Sequence, residues 1–382
     1  GVALAAVWGG HGRVGGLAGG PQASPTTRPV PAVQFELAPA DKATGVRLDA
    51  HAKVVASGGT IGSVRVTGPD GKRLEGKLSG DARTWVSSGP LAPGARYKLT
   101  VVGENRIGVV TRRASSFTTL EPAGTLGAAI MPLDGEKVGV AMPIAIWFDH
   151  PVADKAAVES HLSVEASTPV TGGWRWFNDK EVHYRPKTYW PAGTRVTLHA
   201  SLAGVSAGDG VWGVRDRLVR FRIGDRHISV VNTTTHQMKV SSNGKTLKVF
   251  PMSAGRPKYP TTNGIHFTLD KAQQVTMDSA TVGIPRDSPD GYYEKVYWNV
   301  RISNTGEFVH AAPWSVSSQG SANVSHGCVN LSTANAIWFY HFSQRGDVVR
   351  VIGSPKQPNG WSLGVVDWNM SWSRWLSGSA LH

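Results

Sequence analysis

The chain has 382 residues, of which 40% are hydrophobic and 18% charged; this composition excludes an intrinsically disordered protein and leaves room for two to four domains. The formal net charge of +13 suits an anionic partner such as a nucleic acid, a membrane surface or an acidic cell-wall polymer. Lys and Arg form no long run typical of a nucleic-acid-binding patch, so we expect no nucleic-acid partner.

The first segment, residues 1–31, is rich in Gly, Ala and Pro and predicts a flexible linker. Its opening stretch GVALAAVW is far shorter than the roughly 20 apolar residues that a transmembrane helix needs. Because the sequence does not begin with Met, we expect this stretch to be the remnant of a removed signal or of a membrane anchor that begins further upstream.

Residues 32–121 and 122–224 predict two tandem immunoglobulin-like β-sandwiches. Both consist of short alternating apolar and polar runs separated by turns, over lengths typical of that fold. Neither holds the cysteine pair of an antibody domain. The best internal match aligns PGARYKL with PAGTRVTL at one constant offset, and the recurring pairs are Gly94 with Gly193, Arg96 with Arg195, and Leu99 with Leu198.

Residues 225–353 predict a third, β-rich domain with one main helix. The Asn243-Gly244 pair inside QMKVSSNGKTLKVF indicates a β-hairpin, because this dipeptide suits the tight turn between two strands. The helix is expected to begin at the capping residue Ser332 and to end at Gly346. Its apolar positions at helical spacing are Ala334, Ile337, Trp338 and Phe342.

The last segment, residues 354–382, is a tryptophan-rich C-terminal extension. Each indole ring can bury a large area, so we expect the extension to pack on the third domain, and tryptophans bound to a ligand are the weaker interpretation. The four tryptophans of the extension are Trp361, Trp368, Trp372 and Trp375.

Cys328 is the single cysteine of the chain and lies in the string SHGCVN. One thiol cannot close an internal disulfide or supply a multi-cysteine metal site. A lone cysteine is most often a small buried hydrophobic residue. Here, however, His326 and Gly327 stand beside it and His310 lies upstream, which is the composition of a cysteine nucleophile with its base.

A zinc site formed by His310, His326 and Cys328 is the competing interpretation. Zinc ligands usually occur as compact pairs such as CxxC or HExxH, and the chain contains neither. We therefore expect no metal and favour the nucleophile.

The spacing of these residues resembles the signature of the L,D-transpeptidase (YkuD-type) catalytic domain, in which a histidine precedes an S/T-H-G-C motif by a fixed gap. Here residues 311–324 separate His310 from SHGCVN. The segments WFNDKEVHYRP, MDSATVGIP, SPDGYY, FVHAAPWSV and GVVDWNMSW are similar to the mycobacterial branch of that family. Members of the branch carry two immunoglobulin-like domains before the catalytic domain and a C-terminal extension packed on it.

The resemblance implies a role for each motif residue. Cys328 would be the nucleophile and His310 the general base, oriented by the main-chain carbonyl of Ala311, while His326 would shape the site. The oxyanion hole would come from Gly327, Cys328 and Tyr292. Substrate-binding positions would be Tyr292, Met277, Trp314, Ser325 and Asn330, although plain packing is an equal interpretation for Met277 and Trp314.

The implied reaction joins peptidoglycan stem peptides without a cofactor. Cys328 would form a thioester with a donor tetrapeptide and release D-alanine, and a diaminopimelate amine of the acceptor would then close a 3→3 cross-link. Carbapenem β-lactams would acylate the same thiol. The protein would be exported to the periplasmic or cell-wall face of the membrane and anchored there.

Two other functions remain open from the sequence. An L,D-carboxypeptidase or cysteine peptidase would use the same thiol with water in place of the amine. A non-catalytic wall-binding protein would use the sandwiches as binding modules, but it would not need the intact motif of Cys328 and His310.

Overall fold

A computed structural model describes residue 15, residues 30–360 and residues 362–382 of the chain. The predicted linker therefore lies outside the described residues except at positions 15, 30 and 31, and so does Trp361. The described chain is mainly β, as predicted. None of its described helices is long and apolar enough to cross a membrane.

The first sandwich packs a four-stranded sheet, in the order β1-β3-β7-β6, against a five-stranded sheet, β2-β9-β8-β4-β5. Apolar side chains on the facing sides, among them Phe35, Trp85 and Phe117, form its core. The strands are β1 Gln34–Ala38, β2 Ala43–Val46, β3 Lys53–Ser57, β4 Gly59–Thr67, β5 Arg73–Leu74, β6 Gly76–Leu78, β7 Thr84–Ser87, β8 Arg96–Asn105 and β9 Val110–Thr119.

The second sandwich has the sheets β11-β13-β16-β15 and β12-β20-β17-β14, with a small third sheet, β10-β19-β18. Its elements are β10 Gly124–Thr125, β11 Ala128–Met131, β12 Lys137–Val138, β13 Ile144–Phe148, α1 Lys155–Glu159, β14 Leu162–Ala166, β15 Gly172–Trp176, β16 Glu181–Pro186, β17 Arg195–Ala200, β18 Ser206–Gly208, β19 Val211–Trp212 and β20 Arg217–Ile223.

The internal repeat marks equivalent positions in the two sandwiches. Gly94 and Gly193 both adopt positive φ angles, +55° and +77°, just before a strand. In each case the next strand, β8 or β17, begins two residues later. Leu99 and Leu198 are both buried in the sandwich cores. The weak sequence match therefore reflects one shared turn and strand.

The third region contains two sheets, β23-β22-β21-β29-β24 and β25-β26-β27-β28. Asn243 and Gly244 have φ angles of +49° and +84° and close the predicted hairpin between β22 and β23. The elements are β21 His227–Asn232, β22 Gln237–Ser242, β23 Lys245–Pro251, β24 Gly264–Phe267, β25 Lys271–Asp278, β26 Tyr293–Arg301, β27 Phe308–Ala311, β28 Val329–Leu331, α2 Thr333–Phe342 and β29 Val348–Ile352.

The main helix, α2, begins where the sequence predicts, with the Ser332 hydroxyl accepting a hydrogen bond from the Asn335 N–H. It ends at Phe342, before the predicted end at Gly346. Of the four apolar positions at helical spacing, Trp338 and Phe342 pack against the core, while Ala334 is exposed. The fully buried residues of the helix are Ala336 and Phe339. The helix carries apolar side chains on all of its sides. Their spacing in the sequence therefore does not show which face packs on β26 and β27.

The second sandwich and the third region share one hydrophobic core. Phe267, Leu269 and Val348 of the third region belong to the same apolar cluster as the second sandwich. The backbones also join, since the Gly139 N–H donates to the Arg345 carbonyl at 2.6 Å. A side chain at Gly139 would collide with the backbone of residues 346 and 347, so glycine permits this close approach.

The C-terminal extension contacts the third region, where the sequence predicted it to pack, and also the second sandwich. The Gly364 carbonyl accepts from Phe267 of the third region at 2.7 Å. Trp375, on helix α3 (Trp372–Leu376), is fully buried and donates its indole N–H to the Gly173 carbonyl of the second sandwich at 2.9 Å. The Arg185 guanidinium lies over the rings of Trp368, Trp372 and Trp375 at 4.9, 5.2 and 4.5 Å.

Candidate active site

Two adjacent strands bring the two halves of the motif together. Strand β27 carries His310, and the parallel strand β28 follows directly after Cys328. The register places His310 opposite Asn330, two residues beyond the cysteine. As a result, Cys328 and His310 line one cavity of about 150 Å³.

His310 is held in one tautomer by the main chain. Its Nδ1 lies 2.9 Å from the Ala311 carbonyl oxygen, the contact that the resemblance implied. A carbonyl can only accept, so Nδ1 carries the proton and Nε2 keeps its lone pair. Burial lowers the pKa of His310 to about 4, and the carbonyl contact offsets only part of this effect. The imidazole is therefore neutral at physiological pH.

Cys328 is half-buried, and its Sγ lies 3.7 Å from the Gly306 carbonyl oxygen. Burial raises the pKa of the thiol to about 12, and the nearby negative charges of Glu307 and Glu294 add to the effect. The resting site therefore contains a neutral thiol and a neutral imidazole.

His326 lies between two tyrosine rings, with its ring centroid 5.2 Å from that of Tyr259 and 4.9 Å from that of Tyr292. Its Nε2 lies 2.7 Å from an Arg256 guanidinium nitrogen and accepts a hydrogen bond from it. Burial and the Arg256 charge both lower the pKa of His326. The lone pair of Nε2 faces a cation, which does not suit the zinc-ligand role considered for this residue.

The Ser325 hydroxyl stabilises the turn before the cysteine. It donates to the Cys328 carbonyl at 2.6 Å and accepts from the Gly327 N–H at 3.1 Å. Ser325 was predicted as a substrate-binding residue, but its hydroxyl is engaged with the loop. The Gly327 N–H, predicted as an oxyanion donor, is also engaged in this structure.

The remaining predicted residues surround the thiol. Tyr292, Met277 and Trp314 all line the cavity that holds Cys328 and His310. Trp314 is 54% exposed, so it stands at the rim and plain core packing does not describe it. Asn330 is buried and donates to the Ser315 hydroxyl at 3.1 Å, while its Oδ1 has no donor among the described residues.

Sequence reasoning missed a polar cluster that anchors the SPDGYY segment, whose Tyr292 lines the cavity with the thiol. Asp290 of that segment accepts hydrogen bonds from Arg256, Lys258 and the Tyr259 hydroxyl, the last at 2.9 Å. The basic string RPK, Arg256 to Lys258, was the only signal of this cluster in the sequence. It did not point to Asp290, because more than 30 residues separate them.

A second cavity, with a largely different set of lining residues, also reaches Cys328. It measures about 530 Å³ and shares Tyr292, His326 and Cys328 with the first cavity. Glu307 and Lys356 also line it, and the sequence analysis singled out neither. A still larger cavity of about 650 Å³ on the first sandwich contains no cysteine or histidine.

Among the described residues, no group of three or more His, Cys, Asp and Glu side chains has the arrangement of a metal site. His310, His326 and Cys328 therefore share a cavity wall without converging on one point. The arrangement provides a thiol, a base with a free lone pair in the same cavity, and two cavities that reach the thiol.

Comparison with known proteins gives the same picture. The sequence profile of the L,D-transpeptidase catalytic domain matches residues 226–351, and that of a bacterial Ig domain matches residues 43–206. The chain is 38% identical to L,D-transpeptidase 2 of Mycobacterium tuberculosis over 340 residues, which cover 89% of this chain and 83% of that relative.

Solved structures of L,D-transpeptidases also match this chain. An L,D-transpeptidase in complex with imipenem is 38% identical, with a TM-score of 0.54 over 60% of this chain and 100% of that chain. L,D-transpeptidase 3 of Mycobacterium tuberculosis, with a faropenem-derived adduct, is 34% identical, with a TM-score of 0.50 over 58% of this chain and 96% of that chain.

These matches define an enzyme whose catalytic domain follows an immunoglobulin-like region. The chain belongs to the L,D-transpeptidase family, and its similarity to mycobacterial members confirms the resemblance drawn from the motif.

Proposed function

We propose that the protein forms 3→3 cross-links between meso-diaminopimelate residues of peptidoglycan stem peptides. Cys328 attacks the carbonyl carbon of the third residue of a tetrapeptide donor, the amide C–N bond breaks, and D-alanine leaves. The acyl group remains on sulfur as a thioester. The supporting observation is that the thiol and a neutral, main-chain-oriented His310 line one cavity.

His310 acts as general base through Nε2, the ring nitrogen that keeps its lone pair. The pKa of His310, about 4, and that of Cys328, about 12, disfavour a thiolate–imidazolium pair in the resting enzyme. The proton therefore leaves sulfur as the C–S bond forms, and His310 then gives it to the nitrogen of the departing D-alanine.

Tyr292 donates a hydrogen bond to the tetrahedral oxygen. Burial, and then the nearby Cys328, raise the pKa of its phenol to about 12, so the group stays protonated and can donate. The Cys328 N–H supplies a second donor. Each such donor stabilises a developing oxyanion by about 3 kcal/mol in related chemistry.

The second half of the reaction uses an amine as nucleophile. The side-chain amine of a diaminopimelate on another stem attacks the thioester carbon, the C–S bond breaks, and His310 carries the proton from nitrogen to sulfur. Attack by water instead would release a tripeptide and make the protein an L,D-carboxypeptidase.

We propose that carbapenems acylate Cys328 by the same attack, with the strained β-lactam C–N bond opening in place of the donor amide. The related structures with imipenem and with a faropenem-derived adduct support this reaction. No cofactor takes part in either half-reaction.

An exported location follows from this substrate, since peptidoglycan lies outside the plasma membrane. The net charge of +13 suits a wall polymer that carries carboxylates and phosphates. Cell fractionation tests this point: a protein found with the cytosol would contradict it.

The product of a disaccharide-tetrapeptide tests the proposal. Mass spectrometry should detect a dimer that lacks one D-alanine with the native protein and no dimer with Cys328→Ala. Hydrolysed tripeptide alone would indicate the carboxypeptidase. No product at all, despite an intact fold, would favour the wall-binding protein.

A further inference from the structure

Glu307 is a buried carboxylate next to the nucleophile that the mechanism above does not use. It is 5% exposed and lies immediately before β27. Its Oε1 accepts from the Thr262 N–H and hydroxyl, both at 2.8 Å, and from the Lys356 ammonium at 3.2 Å. Its Oε2 is buried and no described residue donates to it. A buried carboxylate oxygen that accepts no hydrogen bond destabilises the folded protein, so a bound donor would stabilise this atom.

The carboxylate lies against the loop that carries the thiol. A methyl group at Gly327 would lie 3.8 Å from Cγ and from Oε1 of Glu307. The carbonyl of Gly306, the residue before Glu307, is the group that contacts Cys328 Sγ. Glu307 and Cys328 also line the same cavity of about 530 Å³, to which His310 does not contribute. A ligand that reaches Oε2 through this cavity therefore shares the cavity with Cys328.

The charges of this cavity select a cationic donor for Oε2. Glu307 is the acidic residue among those that line the cavity. The Lys258 ammonium is engaged with Asp290, and the Lys356 ammonium occupies only Oε1. A primary ammonium offers three N–H donors and a full positive charge, which is the complement of an unpaired carboxylate oxygen.

The acceptor substrate of the proposed reaction carries a primary ammonium. The amine of the acceptor diaminopimelate is an ammonium at neutral pH, and the same carbon bears a carboxylate. Lys356, 42% exposed beside Glu307, has the charge that suits this carboxylate.

We propose that Glu307 binds the ammonium of the acceptor stem through Oε2 and holds the nitrogen near the Cys328 thioester. The bound ammonium loses one proton to solvent, and the neutral amine then attacks the thioester carbon as described above. This inference rests on the transpeptidase function proposed above. It makes Glu307 a substrate-binding residue that acts on the second half-reaction and determines which nucleophile reaches the thioester.

The test separates the two half-reactions. Glu307→Gln keeps an oxygen that can accept from Thr262 but removes the charge. With a diaminopimelate-containing tripeptide as acceptor, its half-saturating concentration should rise about tenfold or more, the loss expected for a charged hydrogen bond. Acylation by the tetrapeptide donor, followed by intact mass, should be no slower. Aminolysis by methoxyamine, which is uncharged at neutral pH, should also be unchanged.

Two further variants make the result decisive. Thr262→Val removes a hydrogen bond from the same carboxylate and leaves its charge, so it should keep the native preference for the ammonium acceptor. Glu307→Asp keeps the charge and should retain part of that preference. Equal loss with methoxyamine and with the tripeptide in Glu307→Gln would mean that the residue only supports the loop, and an unaltered tripeptide response would also overturn the proposal. A native protein that is never acylated would instead refute the transpeptidase function itself.

Discussion

Two buried histidines in different regions have pKa values shifted in opposite directions. His183, where the second sandwich meets the C-terminal extension, is 1% exposed, and His310 in the active site is 3% exposed. Burial lowers the pKa of both. At His183 the carboxylates of Asp367 and Glu181 outweigh burial and raise the pKa to about 9, whereas at His310 the Ala311 carbonyl offsets only part of the burial effect and the pKa falls to about 4.

The neighbours, and not the depth of burial, therefore decide what each histidine can do. His183 is an imidazolium at neutral pH and holds the extension through Asp367 at 2.7 Å. It has no lone pair to offer. His310 keeps its lone pair because, among the described residues, its hydrogen-bond partner is the Ala311 carbonyl and not a carboxylate. Changes around His183 should alter stability, and changes around His310 should alter activity.

The largest expected effect is at the base. His310→Gln should lower the rate of Cys328 acylation by about 10²–10⁴, since general-base catalysis by a positioned side chain contributes that much. Time-resolved intact mass with a carbapenem measures the rate, and a thermal melt should show a folded protein. Acylation at nearly the native rate would contradict the assignment of His310 as the base.

At the extension, Trp375→Ala should destabilise the protein by about 3–5 kcal/mol, the usual cost of removing a buried tryptophan. Its rate of acylation, measured well below the melting temperature, should stay native because Trp375 lines neither cavity that reaches Cys328. Trp314→Ala is the matched control, since Trp314 is 54% exposed and its loss should hardly change stability. Equal destabilisation by both variants would contradict the division of roles between the two regions.

The His183–Asp367 pair should make stability depend on pH. The folded pKa of His183, about 9, lies above its ordinary value of 6.5, so the stabilisation is complete below about pH 6.5 and disappears as the pH rises through 9. The full contribution is about 3 kcal/mol by linkage. Chemical denaturation should show this decline in the native protein and a flatter profile in Asp367→Asn. Parallel profiles would mean that His183 is not an imidazolium in the folded state.

The smallest effect is expected from a change in the SPDGYY segment. Asp290→Asn weakens the contacts with Arg256, Lys258 and Tyr259 and should loosen the SPDGYY segment, residues 288–293. Amide hydrogen exchange in this segment should become faster, and KM for the donor should rise a few-fold while kcat is kept. Asp287→Asn, a neighbouring change outside this cluster, is the control and should leave both quantities unchanged.

The sequence predicted what depends on local patterns. The turn at Asn243 and Gly244, the repeated turn at Gly94 and Gly193, and the motif around Cys328 are all encoded within a few neighbouring residues. Contacts between distant segments could not be predicted in this way.

The missed residues illustrate the reason. His183 and Asp367 are 184 positions apart, and Glu307 accepts from Thr262 across 45 positions. In the sequence, His183, Asp367 and Glu307 cannot be told from charged residues on the surface. Only the fold shows that each is buried beside a partner.

The central claim is that Cys328 forms the acyl-enzyme, and the intact mass of the protein after mixing with tetrapeptide donor alone tests it most directly. The native protein should gain the mass of the donor minus one D-alanine, and Cys328→Ala should gain nothing. The same adduct on Cys328→Ala, or none on a folded native protein that still releases D-alanine, would contradict the account.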